Sequence, residues 1–147
     1  MTITYAPAEQ ADLETLYRLN QKLIEDYEDL SAIDCPKVLA WVRKNLSASL
    51  SLFTRVFADG ELAGYYSRRP EKGKLERDSL FILPAFQNRG IGTEILKKCQ
   101  AEAKVPIFLY VFRKNTRAAA LYRRMGFQIV KEAGATRWIM EYQKQDR

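Results

Sequence analysis

Two glycines, Gly90 and Gly92, stand in the segment "QNRGIG", between an apolar run that Pro84 ends and a stretch with helical periodicity. The N-terminus of a helix leaves backbone N–H groups without partners, and the helix dipole adds about half a positive charge there. Glycine has no side chain to keep a ligand away from such a backbone. The pattern is therefore typical of a site that binds an anion such as a phosphate.

Known phosphate-binding motifs narrow that interpretation. A P-loop needs Lys followed by Ser or Thr after its second glycine, but this chain has Thr and Glu there. The dinucleotide fingerprint needs a glycine at the position of Ile95. Neither motif is therefore present. What remains is a Gln-x-x-Gly-x-Gly pattern of Gln87, Gly90 and Gly92, which also fits an ordinary turn before a helix. The pattern alone leaves both interpretations open.

The absence of histidine limits the chemistry that is possible. Ser-His and Cys-His nucleophilic pairs and nearly all ordinary zinc sites need histidine, and this chain has none. Its two cysteines, Cys35 and Cys99, are not at metal-ligand spacing, so we expect no metal and no disulfide framework. Catalysis would have to use carboxylates, tyrosines, backbone amides or a bound cofactor.

The 147 residues, 47% of them apolar, are enough for one core, so we expect a single domain over 1–147. No apolar run approaches the roughly eighteen residues of a membrane helix, and the N-terminus does not resemble a signal peptide. We expect a cytoplasmic location and no membrane partner.

Apolar periodicity predicts an α/β chain. Asp12 is the expected cap of the first helix, and Val38, Trp41, Val42 and Leu46 form the expected apolar face of the second, which begins near Pro36. The first half is predicted to contain a strand near 2–6, helices over 13–27 and from about 36, and two strands on either side of the Asp59-Gly60 turn. A strand over 75–83, a helix over 90–103 and the strand "PIFLYVF" follow. The chain then continues with a helix over 116–125 and the strands "FQIV" and "TRWIMEY".

A second motif, "NTRAAALYRRMGF", follows at residues 115–127. Together with "LFILPAFQNRGIG" it resembles the GNAT superfamily of N-acetyltransferases, over motifs at 75–103 and 106–130. The resemblance implies a mixed, mostly antiparallel central sheet of about six or seven strands flanked by about four helices. It also implies that acetyl-CoA donates an acetyl group to an amine.

The resemblance assigns cofactor contacts to individual positions. The backbone of Leu80, Phe81 and Ile82 would lie along the pantetheine arm, and Asn115 would contact the same arm. From spacing alone, Asn115 is also a helix cap. The segment that would bind the pyrophosphate through its backbone amides comprises Asn88, Arg89, Gly90, Ile91, Gly92 and Thr93.

The resemblance also implies the catalytic groups. Tyr122 matches a tyrosine placed near the cofactor sulfur, where its O–H would protonate the departing thiolate, although periodicity alone favours a packing role. The amide of Ile82 would stabilise the oxyanion. Glu76 and Asp78 lie on the strand that borders the reaction centre and are the candidate bases, but both also fit solvated or ion-paired strand residues.

The charge is divided unevenly along the chain. Eight acidic and two basic residues give 1–36 a net charge of −6, whereas twenty-two basic and ten acidic residues give the remainder +12. In the family that the chain resembles, the segment between the first two helices helps to form the acceptor site. The expected acceptor is therefore a cationic amine, on a small molecule or on a peptide. A solvated helix end is the equally open alternative. The expected acceptor-binding residues are Glu25, Asp26, Glu28 and Asp29.

Two classes of function remain. The first is an N-acetyltransferase that works by direct attack in a ternary complex, and the second is a non-catalytic module that binds acyl-CoA and regulates a partner. Nucleic acid is an unfavoured partner, because the basic residues are scattered and no nucleic-acid motif is present. The resemblance is compatible with a homodimer.

Overall fold

The computed structural model describes residues 1–144. A seven-stranded sheet has the order β1-β2-β3-β4-β5-β7-β6, and all neighbours are antiparallel except β4 and β5. The predicted fold class and order of elements are confirmed. The strands are β1 Ile3–Pro7, β2 Phe53–Ala58, β3 Glu61–Glu71, β4 Leu75–Ile82, β5 Ile107–Phe112, β6 Gln128–Ala133 and β7 Arg137–Tyr142, and the helices are α1 Leu13–Tyr27, α2 Cys35–Ser49, α3 Ile91–Glu102 and α4 Thr116–Arg124.

Each face of the sheet has its own apolar core. Helices α3 and α4 cover one face, where Ile91, Ile95 and Tyr122 pack against sheet residues such as Ile107 and Met140. Helices α1 and α2 cover part of the other face, with a core that comprises Leu16, Ile24, Val42, Leu46, Phe53, Tyr65 and Phe112. Successive strand residues point to opposite faces, so alternate residues of β4 face α3 or α1.

Strands β4 and β5 separate in the middle of the sheet. They pair only at Glu76 with Ile107 and at Arg77 with Phe108, whereas β4 pairs with β3 from Leu75 to Ile82. From Asp78 onward the edge of β4 that faces β5 therefore has no strand partner in the described part of the chain. Exposed backbone groups of this kind need water or a ligand as a hydrogen-bond partner.

Two local predictions about α1 and α2 are wrong. The Asp12 carboxylate does not cap α1, because it accepts hydrogen bonds from the Glu9 N–H at 2.7 Å and the Tyr65 hydroxyl at 2.7 Å. Trp41 is 63% exposed, although Val42 is buried as predicted. The buried residues of α2 are Val42, Leu46 and Ser49, and Trp41 is not on the side of the helix that they share.

Gly64 on β3 allows the close approach that holds β4 in place. A Cβ on Gly64 would lie 2.2 Å from the Phe81 carbonyl oxygen, a backbone atom that cannot move without shifting β4. We expect Gly64→Ala to lower the free energy of unfolding by about 3 kcal/mol, at the upper end of overpacking costs, measured by urea denaturation. Gly73→Ala is the control, because a Cβ there meets nothing within 4 Å. An equal loss in both variants would show that the close approach to Phe81 is unimportant.

Candidate active site

A cavity of about 440 Å³ opens where β4 and β5 separate. Four parts of the chain line it: the second half of α1, the end of β4, the segment from Pro84 to Thr93, and α4. The lining residues are Leu19, Lys22, Leu23, Asp26, Tyr27, Leu80, Phe81, Ile82, Pro84, Phe86, Gln87, Asn88, Gly90, Ile91, Gly92, Thr93, Asn115, Arg117, Ala118, Leu121, Tyr122 and Arg124. Nine of the ten residues that the sequence suggested for cofactor binding are on this list, and Arg89 is not.

The start of α3 has the backbone geometry that the glycine pattern suggested. Gly90 precedes the helix with a φ of +80°, and Asn88 also has a positive φ of 65°. The first helical hydrogen bond joins the Glu94 N–H to the Gly90 carbonyl at 3.1 Å. The preceding N–H groups of the first turn therefore have no partner within the helix and remain available to an anion beside the cavity.

Side chains fix this turn to the neighbouring elements. The Gln87 amide donates to the Ile82 carbonyl at 3.2 Å and accepts from Arg117 at 3.4 Å, and Arg117 also donates to the Asn88 side chain. The Arg89 guanidinium instead lies 5.3 Å from the Phe86 ring centre. The role of Arg117 in holding the turn was missed, because nothing in the sequence signals a contact between residues thirty positions apart.

Helix α4 contributes one polar side chain at its start and one near its end. The Asn115 side-chain oxygen accepts from the Ala118 N–H at 3.3 Å, so Asn115 caps α4 and lines the cavity at the same time. Tyr122 is 8% exposed and packs against Phe127, with ring centres 5.8 Å apart. Burial, together with the nearby charge of Asp78, raises the pKa of Tyr122 to about 12. Its hydroxyl therefore keeps its proton at neutral pH.

The two candidate bases do not line the cavity. The Glu76 carboxylate accepts two hydrogen bonds from Arg68, from Nε and from Nη2, each at 2.9 Å. The remaining nitrogen of Arg68, Nη1, contacts Glu102 at 3.3 Å. Asp78 is 5% exposed, and neither of its carboxylate oxygens has a hydrogen-bond partner among residues 1–144. Burial and the adjacent Glu76 carboxylate raise the pKa of Asp78 to about 8.

Asp78 should make the stability of the protein depend on pH. An unfolded aspartate has a pKa near 4, so between about pH 4 and pH 8 the unfolded chain loses a proton that folded Asp78 retains. Stability then falls as pH rises through this window and levels off above it. Groups that affect this titration are Glu76, Arg68, Cys99 and Tyr122. We expect Asp78→Asn to raise the melting temperature at pH 9 by at least about 3 °C relative to wild type, or about 1 kcal/mol.

The same substitution should have a much smaller effect at pH 4, where folded Asp78 is protonated and unfolded Asp78 is only about half ionised. Thermal melts followed by circular dichroism across this range measure the difference. Glu61→Gln, which neutralises an exposed carboxylate, is the control. A gain for Asp78→Asn that is the same at every pH would contradict the assigned titration.

Only one of the four expected acceptor-binding acids lies at the cavity. Asp26 lines it and pairs with Lys22 at 3.0 Å. Glu28 accepts from the Asp29 N–H at 3.0 Å, and Asp29 accepts from the Ser31 N–H and hydroxyl at the start of a short 3-10 turn. Glu25 is exposed on α1. Within the described chain, Asp26 is the single carboxylate among the lining residues.

The described part of the chain, residues 1–144, has neither a candidate metal site nor a candidate membrane helix. Over that range no three cysteine or carboxylate side chains are grouped so as to hold a metal ion. No helix in the same range has the length and apolar character needed to cross a membrane.

The fold is shared with solved N-acetyltransferases. The PaiA N-acetyltransferase of Thermoplasma acidophilum, solved in complex with coenzyme A, aligns with a TM-score of 0.72 and 20% identity over 97% of this chain and 99% of that one. A chimera of the spermidine N-acetyltransferase SpeG from Vibrio cholerae aligns with a TM-score of 0.69 and 17% identity over 98% of this chain and 96% of that one.

Comparison of the sequence with protein families shows the family to which the chain belongs. The profile of the acetyltransferase (GNAT) family matches residues 13–127, and the chain belongs to this family. The spermine/spermidine N(1)-acetyltransferase of Bacillus subtilis is 29% identical over 91 residues, a match that covers 50% of this chain. The same match covers 57% of that relative, so this chain corresponds to little more than half of its length.

Proposed function

We propose that this protein transfers the acetyl group of acetyl-CoA to a primary amine, by direct attack in a ternary complex. The observation that carries the proposal is the cavity itself. It connects the unpaired edge of β4, the N-terminus of α3 and Tyr122 in one continuous space of about 440 Å³. Family membership supports the same reaction class.

The residues at the cavity fit a coenzyme A molecule. The first-turn amides of α3 and Gly90 in its left-handed conformation suit the diphosphate, and Arg117 and Arg124 add positive charge nearby. The free edge of β4 at Leu80–Ile82 has backbone groups that suit the amides of an extended arm. Gly92 keeps α3 close to α4, since a Cβ there would lie 3.0 Å from Leu121.

The side chains of this protein then have distinct roles. Bound acetyl-CoA supplies an activated acetyl thioester. The backbone of β4 orients it, and Tyr122, protonated at neutral pH, donates a proton to the leaving sulfur. Glu76 is engaged with Arg68 and Asp78 is buried away from the cavity, so we infer that the amine loses its proton to water beside Asp26.

A cationic amine is the acceptor class that Asp26 supports, and the relative named above is a spermine/spermidine acetyltransferase. We expect Asp26→Asn to raise KM for the preferred amine about fivefold, or about 1 kcal/mol for a partly exposed charge. Glu25→Gln, one residue outside the lining, should leave KM unchanged. Equal KM values for Asp26→Asn and wild type would contradict an acceptor role for Asp26. The homodimer and the cytoplasmic location stay predictions.

The first experiment measures binding and turnover separately. Calorimetric titration with acetyl-CoA, CoA and ATP should show tight binding of both CoA species and weak binding of ATP. Thiol release with a panel of amines should then exceed the rate without amine. Binding without thiol release would favour a non-catalytic acyl-CoA-binding module, and no binding of either CoA species would refute the proposal.

A further inference from the structure

A second cavity, of about 110 Å³, lies on the face of the sheet that α1 and α2 partly cover. One water molecule needs roughly 10–15 Å³, so this space accommodates a group of several heavy atoms. Arg69 of β3 and Arg77 of β4 both line it, and the two residues are direct cross-strand partners. Phe81 lines this cavity and also the larger one.

The arginines form a cluster of positive charge without a bound carboxylate. Neither Arg69 nor Arg77 forms an ion pair among residues 1–144, and Arg77 lies over the Tyr110 ring with its guanidinium carbon 4.7 Å from the ring centre. Arg137 contacts the same ring at 4.9 Å. Burial and the charges of Arg69 and Arg137 lower the pKa of Arg77, although Glu71 acts in the opposite direction.

A bound anion would stabilise this arrangement. Like charges placed directly opposite each other on antiparallel strands destabilise the pair, and a half-buried guanidinium needs acceptors for its N–H groups. The Ser67 and Ser79 hydroxyls bond to each other, and the carboxylate of Asp78, which also lines the cavity, has no hydrogen-bond partner among residues 1–144. Within the same residues no hydrogen bond joins a lining side chain to Arg69 or Arg77. The two arginines line one cavity from neighbouring strands, and guanidinium groups present the forked donors that carboxylates and phosphates prefer.

We propose that Arg69 and Arg77 bind an acid group on the acceptor, so that the acceptor carries both an amine and a carboxylate or phosphate. The shared residue Phe81 places the second cavity next to the end of β4, where acetyl transfer would occur. Arg77 and Phe81 are four strand residues apart, or about 13 Å along β4. The acid group and the reacting amine are therefore separated by several carbon atoms. This inference rests on the proposed acetyl transfer and narrows its substrate class.

Matched amine pairs test the proposal. We would compare 6-aminohexanoate with pentylamine, which lacks only the carboxylate, and 4-aminobutanoate with propylamine, with spermidine as a purely cationic amine. In at least one of the two pairs, wild-type protein should have a kcat/KM for the amino acid that is at least tenfold higher than for the matched amine. Arg77→Gln and Arg69→Gln should each reduce this ratio to about 1 without weakening acetyl-CoA binding. Arg18→Gln, an exposed arginine of α1, should preserve it.

The outcomes separate this inference from the function on which it rests. Turnover of pentylamine or spermidine that equals or exceeds turnover of the amino acids would overturn the acid-group proposal and leave the acetyltransferase standing. If no amine releases thiol, the acetyltransferase proposal fails, and inorganic phosphate then tests the site alone. Phosphate should shift the side-chain NMR signals of Arg69 and Arg77 in wild type but not the Arg69 signal in Arg77→Gln. Unchanged arginine signals in wild type would refute the anion site.

Discussion

Replacing Tyr122 with phenylalanine is expected to lower kcat about 100-fold or more while leaving the Kd for acetyl-CoA within about threefold. A positioned general acid contributes about 100- to 10,000-fold, and phenylalanine retains the ring that packs against Phe127. The raised pKa of Tyr122, about 12, means that its proton is present throughout the usual assay range. Thiol release under saturating substrates measures kcat, and calorimetry measures Kd.

Tyr142→Phe is the matched control, because Tyr142 packs against the same Phe127 ring, with centres 5.7 Å apart, and does not line the cavity. It should retain wild-type kcat. If Tyr122→Phe lost acetyl-CoA affinity and kcat in equal measure, or if both variants lost kcat equally, Tyr122 would be a packing residue. A residue that acts only in the transition state lowers kcat without affecting ground-state binding.

Gly90→Trp is expected to weaken acetyl-CoA binding at least about 100-fold, or roughly 2.7 kcal/mol. The indole would fill space at the cavity edge, in front of the first-turn amides of α3 that we assign to the diphosphate. Calorimetry with acetyl-CoA and with CoA measures the loss, which should be the same for both because the two share the diphosphate.

The control for this substitution has the same backbone strain. Gly134, in the turn between β6 and β7, also has a positive φ, of 66°, and a Cβ there also meets nothing within 4 Å. Gly134→Trp should therefore cost a similar amount of stability and still bind acetyl-CoA. If a folded Gly90→Trp variant still bound acetyl-CoA normally, the assignment of the diphosphate to the start of α3 would be wrong.

Short-range signals in the sequence predicted the parts of the fold and site that depend on neighbouring residues. The Asp59-Gly60 turn, which has positive φ at both residues, is specified by a dipeptide. The left-handed Gly90 before α3 and the Asn115 cap of α4 are equally local. The two motifs together also indicated the family, because each is a continuous segment that resembles a family motif.

Contacts between distant segments were decided by the tertiary structure alone. Glu76 and Asp78 look equivalent on one strand, yet Arg68 binds Glu76, whereas Asp78 lies buried with no hydrogen-bond partner among residues 1–144. Of four neighbouring acids, only Asp26 lines the cavity, since the others cap a turn or remain outside the lining.

The sequence by itself thus determined the order of elements and the glycine turn, because periodicity and backbone preferences act over a few residues. It indicated the class of reaction only through the resemblance of its two motifs to a family. The tertiary structure decided which charges are paired, buried or free, and it placed Arg69 opposite Arg77. Strand register and helix packing set these relations, and both depend on the whole apolar core rather than on any short segment.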